Sequence, residues 1–104
     1  MDVTVDFLRL FLRGLYFTTP LLLILFFIIV LIGQIVGRYE AWSKFDAFYW
    51  SFITAITVGY GDFHPRKRLS KGLAVLTALV GIVFTGIVVA VALHAAQIAF
   101  QKYI

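Results

Sequence analysis

A chain of 104 residues, 62% of them hydrophobic and 13% charged, exceeds the roughly 45–50% apolar content of a soluble domain and reads as a membrane protein of one small domain. Without cysteine it has no disulfides, thiol catalysis or thiolate metal sites, and no nucleophile with a base, paired carboxylates or phosphate loop suggests an enzyme or an organic cofactor. The net charge of +4 gives no sign of a nucleic-acid partner, because the basic residues form no helical stripe: Arg38, Lys44, Arg66, Lys67, Arg68 and Lys71 lie between two long apolar segments, and Arg9, Arg13 and Lys102 flank the ends.

Residues 1–13 interleave Phe7, Leu8, Leu10, Phe11 and Leu12 with Arg9 and Arg13, which predicts a short amphipathic segment lying at the membrane interface. A cleaved secretory signal is the competing account of this end. Asp2, Asp6 and the lack of a small-x-small site before Arg38 argue against it. Residues 14–37 carry no charge and include the unbroken apolar block Leu21 to Ile32. As a helix these residues cover roughly 36 Å, enough to cross a hydrocarbon core of about 30 Å with some tilt. Pro20 is expected near the start of this first spanning helix, where a missing amide proton costs little.

Residues 45–57 are apolar and aromatic but too few to span, the length of a re-entrant helix. Asp46 near its start suits a helix N-terminus, where a carboxylate meets unpaired amide protons. The glycine-rich stretch 57–62 stops that helix. A second spanning helix is expected over 70–101; its uncharged part, Gly72 to Gln101, covers roughly 45 Å and should extend beyond the bilayer. It carries Gly81, Gly86, Ala90, Ala92, Ala95 and Ala96, small residues that let helices approach closely. The first spanning helix is bulkier, so it is expected to face lipid and the second to face the interior of an assembly. Two spanning helices enclose no path alone, which calls for several copies.

Non-helical backbone at membrane depth is tolerated only where it is buried in protein or lines a polar path, and this makes Gly59 and Gly61 informative. Alternating right-handed and left-handed residues aim consecutive carbonyls the same way, and glycine takes the left-handed conformation without steric cost. Glycines spaced by two supply such positions, while Val58 and Tyr60 direct their side chains into packing. Four such chains around an axis would form a cage of oxygens that replaces the hydration shell of a potassium ion.

The string Thr57-Val58-Gly59-Tyr60-Gly61-Asp62, behind a short apolar helix and between two spanning helices, resembles the potassium channel family in its prokaryotic-type form with two transmembrane helices, over roughly Leu15 to Gln101. The resemblance implies an all-α membrane protein with a re-entrant pore helix and an extended selectivity filter, a homotetramer around a fourfold axis. Each subunit would have three identical partners, the lipid bilayer as surroundings and K+ as the permeant ion. It implies ion sites formed by the carbonyls of Thr57, Val58, Gly59 and Tyr60 with the Thr57 hydroxyl, closed by Gly61. A ring of four Asp62 carboxylates would sit at the extracellular mouth. His64 matches an outer-mouth position that affects blockers, although a loop histidine is the simpler reading.

Tyr49 and Trp50 fit either an interfacial aromatic belt or the family's aromatic cuff that buttresses Tyr60. Ile53 departs from members that carry a glutamate there to bond the filter aspartate, which puts outer-gate inactivation in doubt. Gly81 falls where related channels have a hinge glycine, and close packing is its other reading. Thr85, Val89, Leu93 and Gln97 share one helical face, which the resemblance assigns to the cavity and inner mouth. His94 suits intersubunit packing better than a proton sensor. The resemblance also puts both termini in the cytoplasm, which leaves six of the nine Lys and Arg outside, against the positive-inside tendency. Three alternatives remain: a nonselective monovalent cation channel, a potassium transporter subunit and a two-helix membrane anchor. An intact Tyr60-Gly61 in a single copy speaks for the selective homotetramer.

Overall fold

A computed structural model describes residues 2–102 as three α-helices, α1 (Val3–Glu40), α2 (Lys44–Ala55) and α3 (Arg68–Gln101), with no strand among the described residues. α1 begins at Asp2, whose carboxylate accepts from the amide of Val5 at 2.9 Å. It ends where Ala41 turns left-handed (φ 60°) and Trp42 donates its N–H to the Gly37 carbonyl at 2.9 Å, a Schellman closure.

Between those caps the helix is continuous. The boundary expected at residue 14 is absent, and the segment 1–13 supplies the first turns of α1 from Val3 onward. Pro20 accordingly lies in the helix interior instead of near its start. A proline there removes one i→i−4 bond. The two preceding threonines occupy neighbouring carbonyls: Thr18 Oγ1 donates to Gly14 O at 3.0 Å and Thr19 Oγ1 to Leu15 O at 2.7 Å. Membrane helices accept proline through such side-chain bonds.

α2 is capped by Ser43, whose hydroxyl accepts from the Asp46 amide at 3.1 Å, with Asp46 in the first turn. Asp46 thus supports the N-terminus as expected, while Ser43 makes the cap. The helix stops at Ala55, short of the expected residue 57, because Thr57 has a positive φ of 64° that no helix can include. α3 starts two residues earlier than expected, at Arg68, without a side-chain cap, and the segment leading into it is held from α1. The Glu40 carboxylate, at the end of α1, accepts from the amides of Arg66 at 3.0 Å and Lys67 at 3.1 Å.

α1 and α3 run side by side in a body of 53 × 25 × 20 Å, and α2 is wedged between them at one end. Ile32, Val36 and Trp50 form the buried core there. The wedge depends on glycines. A Cβ on Gly33 would collide with Ser51 Oγ, one on Gly37 would stand 2.6 Å from the Ala47 Cβ, and one on Gly81 would collide with the Ala55 carbonyl oxygen. The close-approach residues are therefore shared between both long helices, whereas the sequence pattern suggested the second alone. Gly33-x-x-x-Gly37 puts the small face of α1 against α2, the geometry that small-x-x-x-small spacing permits.

Candidate functional site

The site is the turn that α2 delivers at its C-terminal end. Thr57 N–H donates to Thr54 O at 3.2 Å, and the amides of Val58 and Gly59 both donate to Ile53 O, at 3.0 and 3.2 Å. The last carbonyls of α2 thus hold the start of the following loop. Thr57, Gly59 and Gly61 have positive φ (64°, 59° and 82°), and Val58 and Tyr60 between them do not. The alternation expected for a one-sided row of carbonyls is present at both glycines and extends to Thr57. That threonine was not foreseen, because a β-branched residue is disfavoured in the left-handed region. Its hydroxyl donates to Ile56 O at 2.6 Å.

Within one chain this loop has almost no lateral support. Residues 56–62 are all exposed, Tyr60 to 71%, and nothing lies within 4 Å of where a Cβ would stand on Gly59 or Gly61. Tyr49 and Trp50 do not stack on Tyr60. Desolvation first, then the interaction with the nearby Asp62 carboxylate, raise the pKa of Tyr49 above the usual tyrosine value. Trp50 is buried and meets Trp42 at 5.6 Å between ring centroids; Trp42 meets Phe63 at 5.5 Å, and Phe63 meets Tyr49 at 6.2 Å. Four rings therefore connect the turn after α1, α2 and the loop that carries Asp62. Trp42 and Phe63 escaped the sequence analysis, although their positions flanking the central segment were the available signal. His64 is exposed and lines a shallow cavity of about 340 Å³ with Glu40, Trp42 and Arg66.

Gly81 sits against the end of α2, so its close-packing role is direct. Thr85 lies one turn below it, half-buried, with its Oγ1 buried and unpartnered among the described residues. Val89 and Leu93 are 49% and 66% exposed. They occupy the side of α3 opposite Val88 and Val91, which face α1. The single chain leaves that side uncovered.

Two helices, Val3–Glu40 and Arg68–Gln101, are long and apolar enough to cross a membrane, and together with a short helix that enters and turns back they define a membrane protein of pore-loop architecture. Residues 17–97 match a family described as ion channel, and the chain belongs to that family.

The chain is 42% identical over 51% of its length to "TWiK family of potassium channels protein 7" of Caenorhabditis elegans. It is 45% identical over 38% of its length to "Voltage-gated potassium channel" of Aeropyrum pernix, and 31% identical over 59% to "Potassium channel protein 1" of Methanocaldococcus jannaschii. The matched segments span 10%, 14% and 18% of those proteins. No solved structure matches the chain at the same stringency.

Proposed function

We propose that four copies of this chain form a pore that conducts K+ passively and selectively, with the carbonyls of Thr57, Val58, Gly59 and Tyr60 as its ion sites. The observation that carries the reading is the alternation of positive φ at Thr57, Gly59 and Gly61 in a loop that its own chain leaves largely exposed. Such alternation suits oxygens presented in one direction, and the lack of neighbours suits a loop completed by other copies. The names of the three relatives support potassium as the ion.

In this reading α2 aims its C-terminal end, worth about half a negative charge, towards a cavity below the filter. The uncovered face of α3 with Thr85, Val89, Leu93 and Gln97 lines the inner path, and α1 faces lipid. Asp62, steadied by Tyr49, places a carboxylate at the outer mouth beside His64. Both termini lie on the cytoplasmic side. The pore needs no resident cofactor, since backbone oxygens do the coordination.

The test is the reversal potential of the purified chain, reconstituted into planar bilayers as a cross-linked and verified tetramer. Currents should follow the potassium equilibrium potential under a K+ gradient and shift when Na+ replaces K+ on one side. Comparable Na+ and K+ permeability transfers the assignment to a nonselective cation channel. A chain that stays monomeric in the bilayer overturns the pore altogether.

A further inference from the structure

The outer half of the molecule is fastened through α2. Gly33 and Gly37 of α1 and Gly81 of α3 each lie against it, and Glu40 bonds the segment that leads into α3. The opposite half is fastened separately. A Cβ on Gly14 would stand 2.5 Å from Val91 Cγ1, and at the chain ends Lys102 reaches Asp6 at 3.6 Å. These two ties join the inner stretches of α1 and α3 to each other, and neither involves α2.

Between the two fastened halves each long helix has one weak residue, and the two lie at the same depth. Six residues on from Gly14 is Pro20, and five back from Val91 is Gly86, roughly 9 and 7.5 Å along the two antiparallel helices. Pro20 deletes a helical hydrogen bond in α1, and Thr18 and Thr19 turn their hydroxyls back onto Gly14 O and Leu15 O. Gly86 gives α3 no Cβ, and one built there would meet nothing within 4 Å. Proline and glycine are residues at which helices bend. Two apolar hollows flank the α1–α3 seam at this level, one of about 510 Å³ walled by Phe17, Thr18 and Ile87 and one of about 420 Å³ walled by Thr19, Phe84 and Val88. Gly81 lacks this freedom, because the Ala55 backbone lies against it.

We propose that Pro20 and Gly86 form a paired joint, about which the inner halves of α1 (residues 3–19) and α3 (residues 87–101) swing as one body while α2, the loop and both outer halves stay fixed. α1 is then no static wall, because it bends wherever α3 bends. If α3 alone bent at Gly86, Val91 would be dragged away from Gly14 and Lys102 away from Asp6; a joint in both helices keeps both contacts. The swing widens or narrows the inner path beside Leu93 and Gln97, a consequence that rests on the pore reading. The joint itself requires only an assembly of chains with two long helices.

The experiment uses the lack of native cysteine. Arg9→Cys, Gln101→Cys and Arg38→Cys, at three exposed helix positions, each carry a spin label in turn, and double electron–electron resonance reads the distances between copies in the intact, reconstituted assembly. Arg9→Cys and Gln101→Cys should both give two-peaked distributions, and Arg38→Cys a single narrow one. Adding Pro20→Ala or Gly86→Ala should shift the ratio of the two peaks by about tenfold or more, at Arg9 and Gln101 alike, since each substitution stiffens one helix in every copy. Two peaks at Gln101 with a narrow distribution at Arg9 mean that α3 bends alone, which overturns the joint, as do narrow distributions at all three positions. Two inner peaks that Pro20→Ala leaves unaltered place the bend elsewhere in α1 and also overturn it. In bilayer recordings both substitutions should change the open probability by a similar factor with the reversal potential unchanged. A shifted reversal potential places their effect in the filter and overturns the gating role. Loss of K+ selectivity in the unaltered chain defeats the pore reading and leaves the distances, and the joint, standing.

Discussion

α2 and the loop that follows it are adjacent in sequence and opposite in how they are held. α2 is gripped on two sides by backbone-close contacts, from Gly33 and Gly37 on α1 and from Gly81 on α3, and Trp50 anchors it in the core. Thr57 to Gly61 are held by three amide hydrogen bonds to the end of α2, with open space around both glycines. One chain therefore builds the pedestal completely and the loop only in its backbone conformation. Residues in the pedestal should answer to volume, and residues in the loop to allowed φ.

The largest expected effect tests the loop. Gly59→Ala adds a methyl group that meets nothing within its own chain, so the penalty each chain carries by itself is conformational. At about 1–2 kcal/mol per residue, four copies lose about 4–8 kcal/mol. K+ selectivity should disappear from bilayer recordings while the assembly still elutes at its normal size. Unchanged reversal potentials would separate the glycine conformation from the ion path and break the comparison.

In the pedestal, Trp50→Ala should cost about 3–5 kcal/mol, since it empties the junction between Val36, Ile32 and Trp42. The readout is thermal stability of the detergent-solubilised assembly. Gly81→Ala comes next, at about 1–3 kcal/mol, because its Cβ meets the Ala55 backbone, which has no rotamer to escape into. Gly86→Ala, five residues on and facing open space, is its control and should be neutral or stabilise by up to about 1 kcal/mol. If Gly81→Ala is as stable as the control yet alters channel opening, the residue acts as a hinge and its contact with α2 is incidental.

The same contrast explains what could be read in advance. The two long helices follow from uninterrupted apolar runs, and the positive φ at Gly59 and Gly61 follows from glycines at a spacing of two. The continuity of α1 through residues 3–40 did not follow. It goes with Thr18 and Thr19 bonding back to Gly14 and Leu15 in the turn before the proline, and with Arg9 and Arg13 being as compatible with a protruding helix as with a separate segment. Gly33 and Gly37 were hidden because a bulky average for the first helix says nothing about one small face. The Glu40 bonds to the segment leading into α3 join residues 26 and 27 positions apart, which no local pattern encodes. Within the chain Tyr49 interacts with Asp62 and has Phe63 as its ring neighbour, contacts that the motif did not specify.

The smallest effect sharpens the comparison most, because two non-glycine residues among those described have positive φ, Ala41 at 60° and Thr57 at 64°. Ala41 ends α1 at a position where glycine is the usual occupant, and its only task is to let Trp42 reach Gly37. Ala41→Gly relieves that strain at the cost of a more flexible unfolded chain, so the net gain in thermal stability should be below about 1 kcal/mol with conduction untouched. Thr57→Gly relieves equal strain, but it also removes the hydroxyl that bonds Ile56 O and frees φ where the loop needs it fixed. That variant should be no less stable as an assembly and should discriminate poorly between K+ and Na+ in bilayer recordings. Should Thr57→Gly retain full selectivity, its left-handed turn is a helix stop of the same kind as Ala41, and the ordered part of the filter begins at Val58.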